Sequence, residues 1–458
     1  MSRTQQAARA VAAFTIMAAL LAGVGYLQSW QLSLTILNMC LISAIMALGV
    51  NIQWGYAGLF NVGIVGFAGL GGVAAVLVAH PPVPEAWAAG GRHLLAALLA
   101  LAATVIALVL AWRRLRPGFG RGLAMTLILI AGFVATRYFF DPAVTAIEAV
   151  NPASTGFLGG VGLPILLSWA VGGMLAAGAA WLIGKVALGL RSDYLAIATL
   201  GISEIVLSVL RNEDWLTRGV KNVSGLPRPV PYEIDLQESE LFAQWVEWIW
   251  ADRLAHLEGA ARASAFQAYL IEASSLFVKL CYAGLFTAVL LIILTLCVLA
   301  LNSPWGRMIR AIRDNEVAAA AMGKDVTGRH LQIFVLGSAV IGIAGAMLVT
   351  LDGQFTPGSY NPLRYTFLVW VMVIVGGSGN NLGAVIGGFL IWFLWIEAEP
   401  AAIWLMEGAA GLIGASAELR DQLVDRAQHV RLIVMGAVLL LVMRFAPGGI
   451  LPERLRLQ

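Results

Sequence analysis

The sequence has little charge and little cysteine. Only 12% of its 458 residues are Asp, Glu, Lys or Arg, about half the share found in ordinary soluble domains. That leaves too little polar surface to cover a globule of this size in water, which excludes a soluble protein. The three cysteines, Cys40, Cys281 and Cys297, lie far apart in apolar runs, so a disulfide framework and a Cys-x-x-Cys metal site are excluded. The five histidines lack the spacing of a metal pair, and we predict no metal site.

Sequence patterns of catalysis are also lacking. The predicted spans hold no pair of carboxylates and no Ser/His/Asp set, and the sequence has no Gly-x-x-x-x-Gly-Lys-Ser/Thr phosphate loop, so an enzyme is disfavoured and the chain cannot itself supply an ATPase. The net charge of +3 is too small to indicate binding to nucleic acid. We predict no catalytic residue and no directly bound cofactor.

Apolar residues, in contrast, make up 60% of the chain and form long runs. A helix needs about 20 mostly apolar residues to cross a bilayer. Candidate runs lie near 10–27, 32–50, 62–80, 93–112, 122–140, 162–186, 194–210, 274–301, 331–351, 364–377, 382–397 and 431–445. We therefore predict an all-α, polytopic integral membrane bundle with roughly 10–12 transmembrane segments. The last three runs are short, so re-entrant or tilted segments are expected there.

The distribution of basic residues predicts how the chain is oriented in the membrane. If the runs alternate across the membrane and the N-terminus lies inside, basic residues concentrate in the inner loops. Because Lys and Arg in short loops set orientation, both termini are predicted to be cytoplasmic. Segments 211–273 and 398–430 are then predicted to lie outside. In the first, Trp245, Trp248 and Trp250 favour a helix at headgroup depth, and a docking surface for an outside partner is the alternative.

Two features within the predicted spans could serve a solute pathway. Glu204 is the charge in the middle of a span, and it either hydrogen-bonds inside the bundle or lines a pathway. Glycine is dense in residues 55–72 and again in 375–388, which hints at an internal repeat. Such stretches allow close helix packing or mark broken helices that expose backbone groups to a solute. The candidate translocation residues are Gly55, Tyr56, Gly58, Asn61, Gly63 and Glu204.

The segment 301–330 contains residues that typically start and end helices, and they predict two short helices. Ser303 followed by Pro304 is a helix start, Asp314 or Asn315 can cap a second helix, and Gly323 can end it. Arginines at 307, 310 and 313 repeat every three residues and so share one face. The alanines at 318–321 leave a helix surface small enough to enter a groove on another protein. A basic loop beside anionic lipid is the alternative.

Within this segment, the residues Glu-Val-Ala-Ala-Ala-Ala-Met-Gly at 316–323 resemble the Glu-Ala-Ala loop through which ABC importer permeases engage their ATPases. Six stretches in order resemble the LivM-type permease of branched-chain amino acid ABC transporters. They are GYAGLFNVG (55–63), RSDYLAIATLGISEIV (191–206), NVSGLPRP (222–229), SPWGRMIRAIRDNEVAAAAMG (303–323), VIVGGSGNNLGAVIGG (373–388) and RFAPGGILP (444–452).

The resemblance implies one permease domain over residues 1–458 with a cytoplasmic coupling loop at 302–330. It implies a multi-pass subunit of the bacterial inner membrane that moves branched-chain amino acids by alternating access. The implied partners are a second, LivH-like permease, two cytoplasmic ATPases that use ATP, an outside solute-binding protein and the lipid bilayer. The implied ATPase-coupling residues are Arg307, Arg310, Arg313, Asn315, Glu316, Ala318, Ala319 and Gly323.

The chain also departs from the family pattern. Val62-Gly63-Ile64 stands where the family often has Leu-Gly-His, residues 232–272 form a longer loop, and 81–160 match poorly. These departures leave the substrate open, because the same family includes permeases for urea, short amides and other amino acids. Two alternatives come from other classes: an ion-coupled secondary transporter with Glu204 as the coupling carboxylate, and a membrane scaffold that binds a partner without transport.

Overall fold

The computed structural model describes residues 3–151, 155–412 and 417–453, and most of them are helical. The α-helices are α1 (Arg3–Leu27), α2 (Trp30–Val50), α3 (Ile64–Ala79), α4 (Pro84–Arg114), α5 (Phe119–Ala149), α6 (Ile165–Ala187), α7 (Ser192–Asn212), α8 (Asp214–Thr217), α9 (Glu233–Glu238), α10 (Glu240–Ile249), α11 (Ala251–Leu254), α12 (Gly259–Asn302), α13 (Pro304–Asp314), α14 (Glu316–Ala321), α15 (Val326–Asp352), α16 (Leu368–Gly376), α17 (Asn381–Leu412) and α18 (Ala417–Phe445). Shorter elements are π-helical turns at Asn51–Gly55 and Leu363–Phe367, a 3₁₀ turn at Pro357–Ser359, and strands β1 (Val223–Ser224) and β2 (Gln354–Phe355).

The prediction of an all-α membrane bundle is confirmed. Over the described ranges, ten helices are long and apolar enough to cross a membrane: α1, α2, α4, α5, α6, α7, α12, α15, α17 and α18. Two shorter apolar helices, α3 and the segment that ends with α16, account for the remaining predicted runs.

Some of the predicted lengths differ from the structure. The run 364–377 is short, as expected, but 382–397 and 431–445 lie within helices of 32 and 29 residues. Helix α17 therefore continues well into the segment 398–430. Conversely, the run 62–80 gives a helix of only 16 residues. The reason is local: Gly58 has a φ of +72°, and the side chain of Asn61 accepts a 2.9 Å hydrogen bond from the amide of Gly63. These interactions hold the preceding turn out of helical geometry.

Small residues bring the central helices together. A Cβ atom at Gly71 in α3 would overlap the Gly342 carbonyl of α15, and one at Gly172 in α6 would lie 3.1 Å from the Cα of Gly71. Helix α2 approaches α15 in the same way, because a Cβ at Gly49 would lie 2.8 Å from the carbonyl oxygen of Gly337. Close approach through glycine is how helices gain contact area inside a membrane, where lipid is as apolar as a side chain.

Both described chain ends lie at one end of the bundle, which we call the loop end. There, Gln6 donates to the carbonyl of Pro452 at 3.4 Å, and Arg313 of α13 pairs with Glu453 at 2.9 Å. At the opposite end, Arg211 donates to the carbonyl of Tyr360 at 3.1 Å. This arrangement agrees with both termini on one side of the membrane. That the loop end is cytoplasmic stays a prediction.

The segment 211–273 lies at the opposite end and carries four short helices. Strand β1 pairs antiparallel with β2, which ties the segment to the end of α15. Helix α12, which has 44 residues and so a length of about 66 Å, begins there and extends beyond what a bilayer requires. Val246 of α10 is buried beside Leu270 of this extension, whereas Trp245 and Trp248 are exposed.

Helices α4 and α5 form a hairpin. Gly90 of α4 lies against Ala143 and Ile147 of α5. The outer surfaces of the hairpin carry exposed apolar side chains such as Leu98 and Phe133. Such a surface suits the hydrocarbon of a bilayer.

Candidate functional site

The two helices at the loop end are built from local caps. The Ser303 hydroxyl accepts from the amide of Gly306 at 3.5 Å and begins α13. The side chain of Asn315 accepts from the amide of Ala318 at 2.9 Å, so the cap of α14 is Asn315 rather than Asp314. Gly323 follows α14 with a φ of +74°, a conformation that glycine adopts without strain. These caps were predictable because each one acts within a few residues.

Helix α14 presents its side chains to the solvent. Glu316 and Ala318 are exposed, Ala319 is partly exposed, and Val317 and Met322 are 80% and 79% exposed. Two large apolar side chains on so short a helix favour binding in an apolar groove of another protein. We call Glu316, Val317, Ala318 and Met322 the α14 surface.

The three arginines of α13 bind within their own chain. Arg307 donates to the carbonyl of Asn302 at 3.3 Å, and Arg310 donates to that of Leu301 at 2.9 Å. Both therefore bind carbonyls at the end of α12, where a helix exposes unpaired carbonyl groups and a partial negative charge. They do not form one freely exposed basic face, since Arg310 is half-buried.

Arg313 makes the longest-range contact of the three. Its guanidinium donates to the carbonyl of Gly55 and pairs with Asp314 at 3.2 Å and Glu453 at 2.9 Å. Burial alone would lower the pKa of Arg313, but the hydrogen bond and negative charge of Glu453, with Asp314, raise it above its ordinary value. The guanidinium is thus held charged between α13 and the two glycine-dense stretches.

The two glycine-dense stretches meet at Gly55 and Gly379. A Cβ atom at Gly55 would overlap the amide nitrogen of Gly379. The Asn51 side chain joins the stretches, because it accepts from the Gly379 amide at 2.9 Å and donates to the side chain of Asn381 at 3.1 Å. Sequence reasoning had not singled out Asn51, although an asparagine inside an apolar run is itself a signal.

Asn61 belongs to a buried polar network. It is fully buried and donates to the side chain of Gln53 at 2.9 Å. Gln53 in turn donates to the carbonyl of Phe334 at 2.9 Å and to Ser338 at 3.0 Å, and Trp370 donates to the carbonyl of Asn61 at 3.1 Å. The polar groups of Asn61 are therefore engaged by the protein, and in this conformation the side chain lines no open path.

Tyr56 faces a cavity at the loop end. The cavity has a volume of about 340 Å³, and its walls include Tyr56, Arg310, Asn380 and Glu453. Gly58 lies beside Arg313, whose Cγ a Cβ atom at Gly58 would approach to 3.4 Å. Gly55, Tyr56 and Gly58 are therefore at the loop end next to α13. Within the described ranges, no cluster of three or more His, Cys, Asp or Glu residues could hold a metal ion.

Gly63 packs directly against α7. A Cβ at Gly63 would lie 2.7 Å from the carbonyl oxygen of Thr199. Thr199 and Ser203 accept hydrogen bonds from the amides of Val62 and Gly66 at 3.1 and 2.9 Å. Helix α7 is thus next to the first glycine-dense stretch.

Glu204, however, points away from that stretch. Because α7 turns Thr199 and Ser203 toward α3, the next residue in the chain lies on the exposed side of the helix. The sequence allowed two interpretations of Glu204. The first, a hydrogen bond inside the bundle, is wrong for the described part of this chain, because Glu204 is exposed and makes no hydrogen bond there. Helix α7 therefore contacts the first glycine-dense stretch through Thr199 and Ser203, but the carboxylate of Glu204 does not reach it.

Known proteins provide the context for this architecture. The family model described as branched-chain amino acid transport system / permease component matches residues 32–159 and 143–443. The high-affinity branched-chain amino acid transport system permease protein LivM of Salmonella typhimurium is 27% identical over 290 residues, which cover 61% of this chain and 56% of that protein. The probable branched-chain amino acid transport permease protein LivM of Methanocaldococcus jannaschii is 24% identical over 326 residues, or 70% of this chain and 76% of that protein.

A further relative is the probable branched-chain amino acid transport permease protein LivH of Methanocaldococcus jannaschii, which is 30% identical over 103 residues, covering 22% of this chain and 32% of that protein. The chain spans about half the length of the Salmonella relative, with 56% of it covered. No solved structure is significantly similar to this chain. The family match extends over most of the sequence and includes the two glycine-dense stretches, α7 and the α14 surface, and the chain therefore belongs to the family of branched-chain amino acid transport system permease components.

Proposed function

We propose that the protein is the membrane-spanning permease subunit of an ABC importer that moves amino acids, with branched-chain amino acids as the first candidates. The observation that carries this proposal is the α14 surface: a capped helix at the loop end that exposes Val317 and Met322. Family membership supports the substrate class, since the related LivM proteins are named for branched-chain amino acid transport.

The proposed assembly has four kinds of partner. A second permease of the LivH type completes the membrane part, and two ATPases bind at the loop end and use ATP, because this sequence contains no phosphate-binding loop. A solute-binding protein delivers the amino acid at the opposite end, where the segment 211–273 lies. The loop end is then cytoplasmic and the membrane is the bacterial inner membrane, in agreement with the basic residues at the loop end.

The proposed mechanism is alternating access driven from the α14 surface. Closure of the ATPases on ATP moves α13 and α14 together, since these helices are separated only by the Asn315 cap. Arg313 then transmits the movement to Gly55 and, through Glu453, to Gly379. The two glycine-dense stretches move together because they are in contact at Gly55 and Gly379. The bundle then shifts between inward-open and outward-open states.

The candidate pathway residues then have two roles. Tyr56 lines the cavity of about 340 Å³ at the loop end, where the solute leaves, and Gly55 and Gly58 lie beside Arg313. Asn61 and Gly63 hold the break between α2 and α3 in place through the network with Gln53 and the contact with Thr199.

The proposal is tested by capture of the ATPases. The complex is co-expressed, and an affinity tag on this chain recovers whatever ATPase is bound after extraction in mild detergent. Val317→Asp and Met322→Asp should abolish recovery, because each places a charge in the proposed apolar groove. Val220→Asp is the matched control, since Val220 is 68% exposed at the opposite end of the bundle. ATPase recovery at the unmodified level in both α14 variants would show that the α14 surface is not the contact.

A further inference from the structure

The exposed side of α7 carries polar residues and one glycine in a single line. Gly201, Glu204, Ser208 and Asn212 are all exposed, and their spacing of three or four places them on one face of the helix. The opposite side of α7 packs on α3 through Thr199, Ser203 and Leu207. We call these four exposed residues the α7 polar face.

Glu204 lies near the middle of a helix that is long and apolar enough to cross a membrane. It is the thirteenth residue of the 21 in α7, which places it about 18 Å from one end of the helix and about 12 Å from the other. Arg211, near the far end of the same helix, is at the end of the bundle opposite the loop end. An ionised carboxylate at this depth is costly against lipid, so such residues face protein or water.

The exposed surface of α5 differs from the α7 polar face. On α5, Phe133 and Val134 are 64% and 60% exposed and apolar, and Arg137 and Asp141 of the same helix neutralise each other at 2.9 Å. Over the described part of the chain, Glu204 has no hydrogen bond or ion pair to offset its charge. Lipid suits the face of α5, and it suits Ile197 and Ile205, which are exposed on α7 beside the polar line, but it does not suit the carboxylate of Glu204.

A second membrane protein fits the α7 polar face better than lipid does. Gly201 and Ser208 are small, and small residues allow another helix to approach closely. Glu204 between them would then face a narrow gap between two proteins, which water can enter. Ser208 and Asn212 extend this polar line toward the end of the bundle opposite the loop end, where they bond to each other at 3.2 Å.

We propose that the α7 polar face lies against the second permease subunit and forms this chain's wall of the translocation path, where the Glu204 carboxylate accepts hydrogen bonds from the α-ammonium group of the passing amino acid. This inference rests on the proposed function. The carboxylate and the ammonium group are complementary in charge, and charge-assisted hydrogen bonds are the strong ones. Every α-amino acid carries that ammonium group. Glu204 therefore recognises amino acids as a class, and other groups discriminate between their side chains.

Photocrosslinking in the assembled complex tests the location. A benzophenone amino acid replaces Ser208 in one variant and Phe133 of α5 in the control, and each complex is irradiated in membranes. The Ser208 probe should crosslink to the second permease subunit, and the Phe133 probe should not. Crosslinks from the Ser208 position to a second copy of this chain, or to lipid alone, would overturn the inference.

Charge rescue tests the role of the carboxylate. In a chain whose natural cysteines are replaced by alanine, Glu204→Cys should lower ATP-driven leucine uptake about tenfold, the cost of a lost charge-assisted contact. A sulfonatoethyl thiosulfonate reagent, which restores a negative charge, should recover most of the uptake, and an aminoethyl reagent should not. Equal effects of the two reagents, or no loss of uptake in Glu204→Cys, would contradict a role in binding the ammonium group.

Failure of the inference about α7 can be distinguished from failure of the proposed function. If the unmodified complex takes up leucine with ATP but the Ser208 probe finds no second permease, only the inference about α7 is wrong. If the unmodified complex shows no ATP-driven uptake at all, the proposed function itself is wrong, whatever the Ser208 probe contacts.

Discussion

Arg313 donates a hydrogen bond to the carbonyl of Gly55, a residue 258 positions earlier in the chain, and its guanidinium also pairs with Glu453 at 2.9 Å. Glu453 in turn lies against Gly379, where a Cβ atom would sit 2.8 Å from the carboxyl carbon. The side chain of Arg313 thus connects α13, which precedes the α14 surface, to both glycine-dense stretches. We regard this connection as the route by which the ATPases act on the membrane bundle.

Removing Arg313 should uncouple the complex without dissociating it. Arg313→Ala loses hydrogen bonds to a charged partner that contribute about 1.5–3 kcal/mol, so the amount of solute transported per ATP hydrolysed should fall about tenfold. The α14 surface is unchanged, and the ATPases should stay bound. Arg262→Ala is the control, because Arg262 is exposed and pairs with Glu247 at the opposite end of the bundle. An unchanged transport-to-hydrolysis ratio in Arg313→Ala would refute this route.

Gly323 should tolerate asparagine and reject valine. Its φ of +74° is left-handed, a conformation that costs a residue with a Cβ about 1–2 kcal/mol and that asparagine adopts more readily than a β-branched residue. Among the described residues, no atom beyond its chain neighbours lies within 4 Å of a Cβ built at this position, so steric overlap is not involved. Gly323→Val should therefore weaken ATPase capture, while Gly323→Asn should retain it. Equal capture by the two variants would mean that the helix stop is unimportant for the contact.

The contact between α3 and α15 depends on the absence of a side chain at Gly71. A Cβ there would overlap the Gly342 carbonyl, and overpacking of this kind costs about 1–3 kcal/mol. Gly71→Ala should lower the midpoint of thermal unfolding in detergent by several degrees. Gly178→Ala on α6 is the matched control, since a Cβ there meets nothing within 4 Å. If the two variants unfold at the same temperature, the close approach of α3 and α15 is not as described.

The topology can be tested at the two ends of α12. Ser239 and Ser303 lie before and after this helix, whose length of about 66 Å exceeds the thickness of a bilayer. A membrane-impermeant thiol reagent should label Ser303→Cys only from the cytoplasmic side and Ser239→Cys only from outside. Labelling of both cysteines from one face would show that α12 does not cross the membrane.

Features that depend on nearby residues were predictable from the sequence. The apolar runs identify the spans because a bilayer imposes a length on each helix. The caps at Ser303 and Asn315 and the stop at Gly323 were predictable because each bonds or bends within three or four residues of itself. The short run at 364–377 was also correctly identified.

Features that depend on distant contacts were not predictable. The meeting of Gly55 with Gly379, through Asn51 and Asn381, joins parts of the chain that no local pattern relates. The spacing of Arg313 from Arg310 predicted a shared basic face. In the structure Arg313 instead points into the bundle, where it binds the Gly55 carbonyl and Glu453. The direction of Glu204 is set by which side of α7 packs on α3, and an isolated helix contains no such information.

ATP-driven uptake in reconstituted vesicles tests the central claim most directly. The chain is placed in proteoliposomes with its second permease and ATPases, and uptake of labelled leucine is followed with and without the solute-binding protein, ATP and a proton gradient. We predict that uptake requires ATP, the ATPases and the binding protein, and that a proton ionophore leaves it unchanged. Uptake by this chain alone, driven by the proton gradient and lost in Glu204→Gln, would contradict the account and identify an ion-coupled transporter.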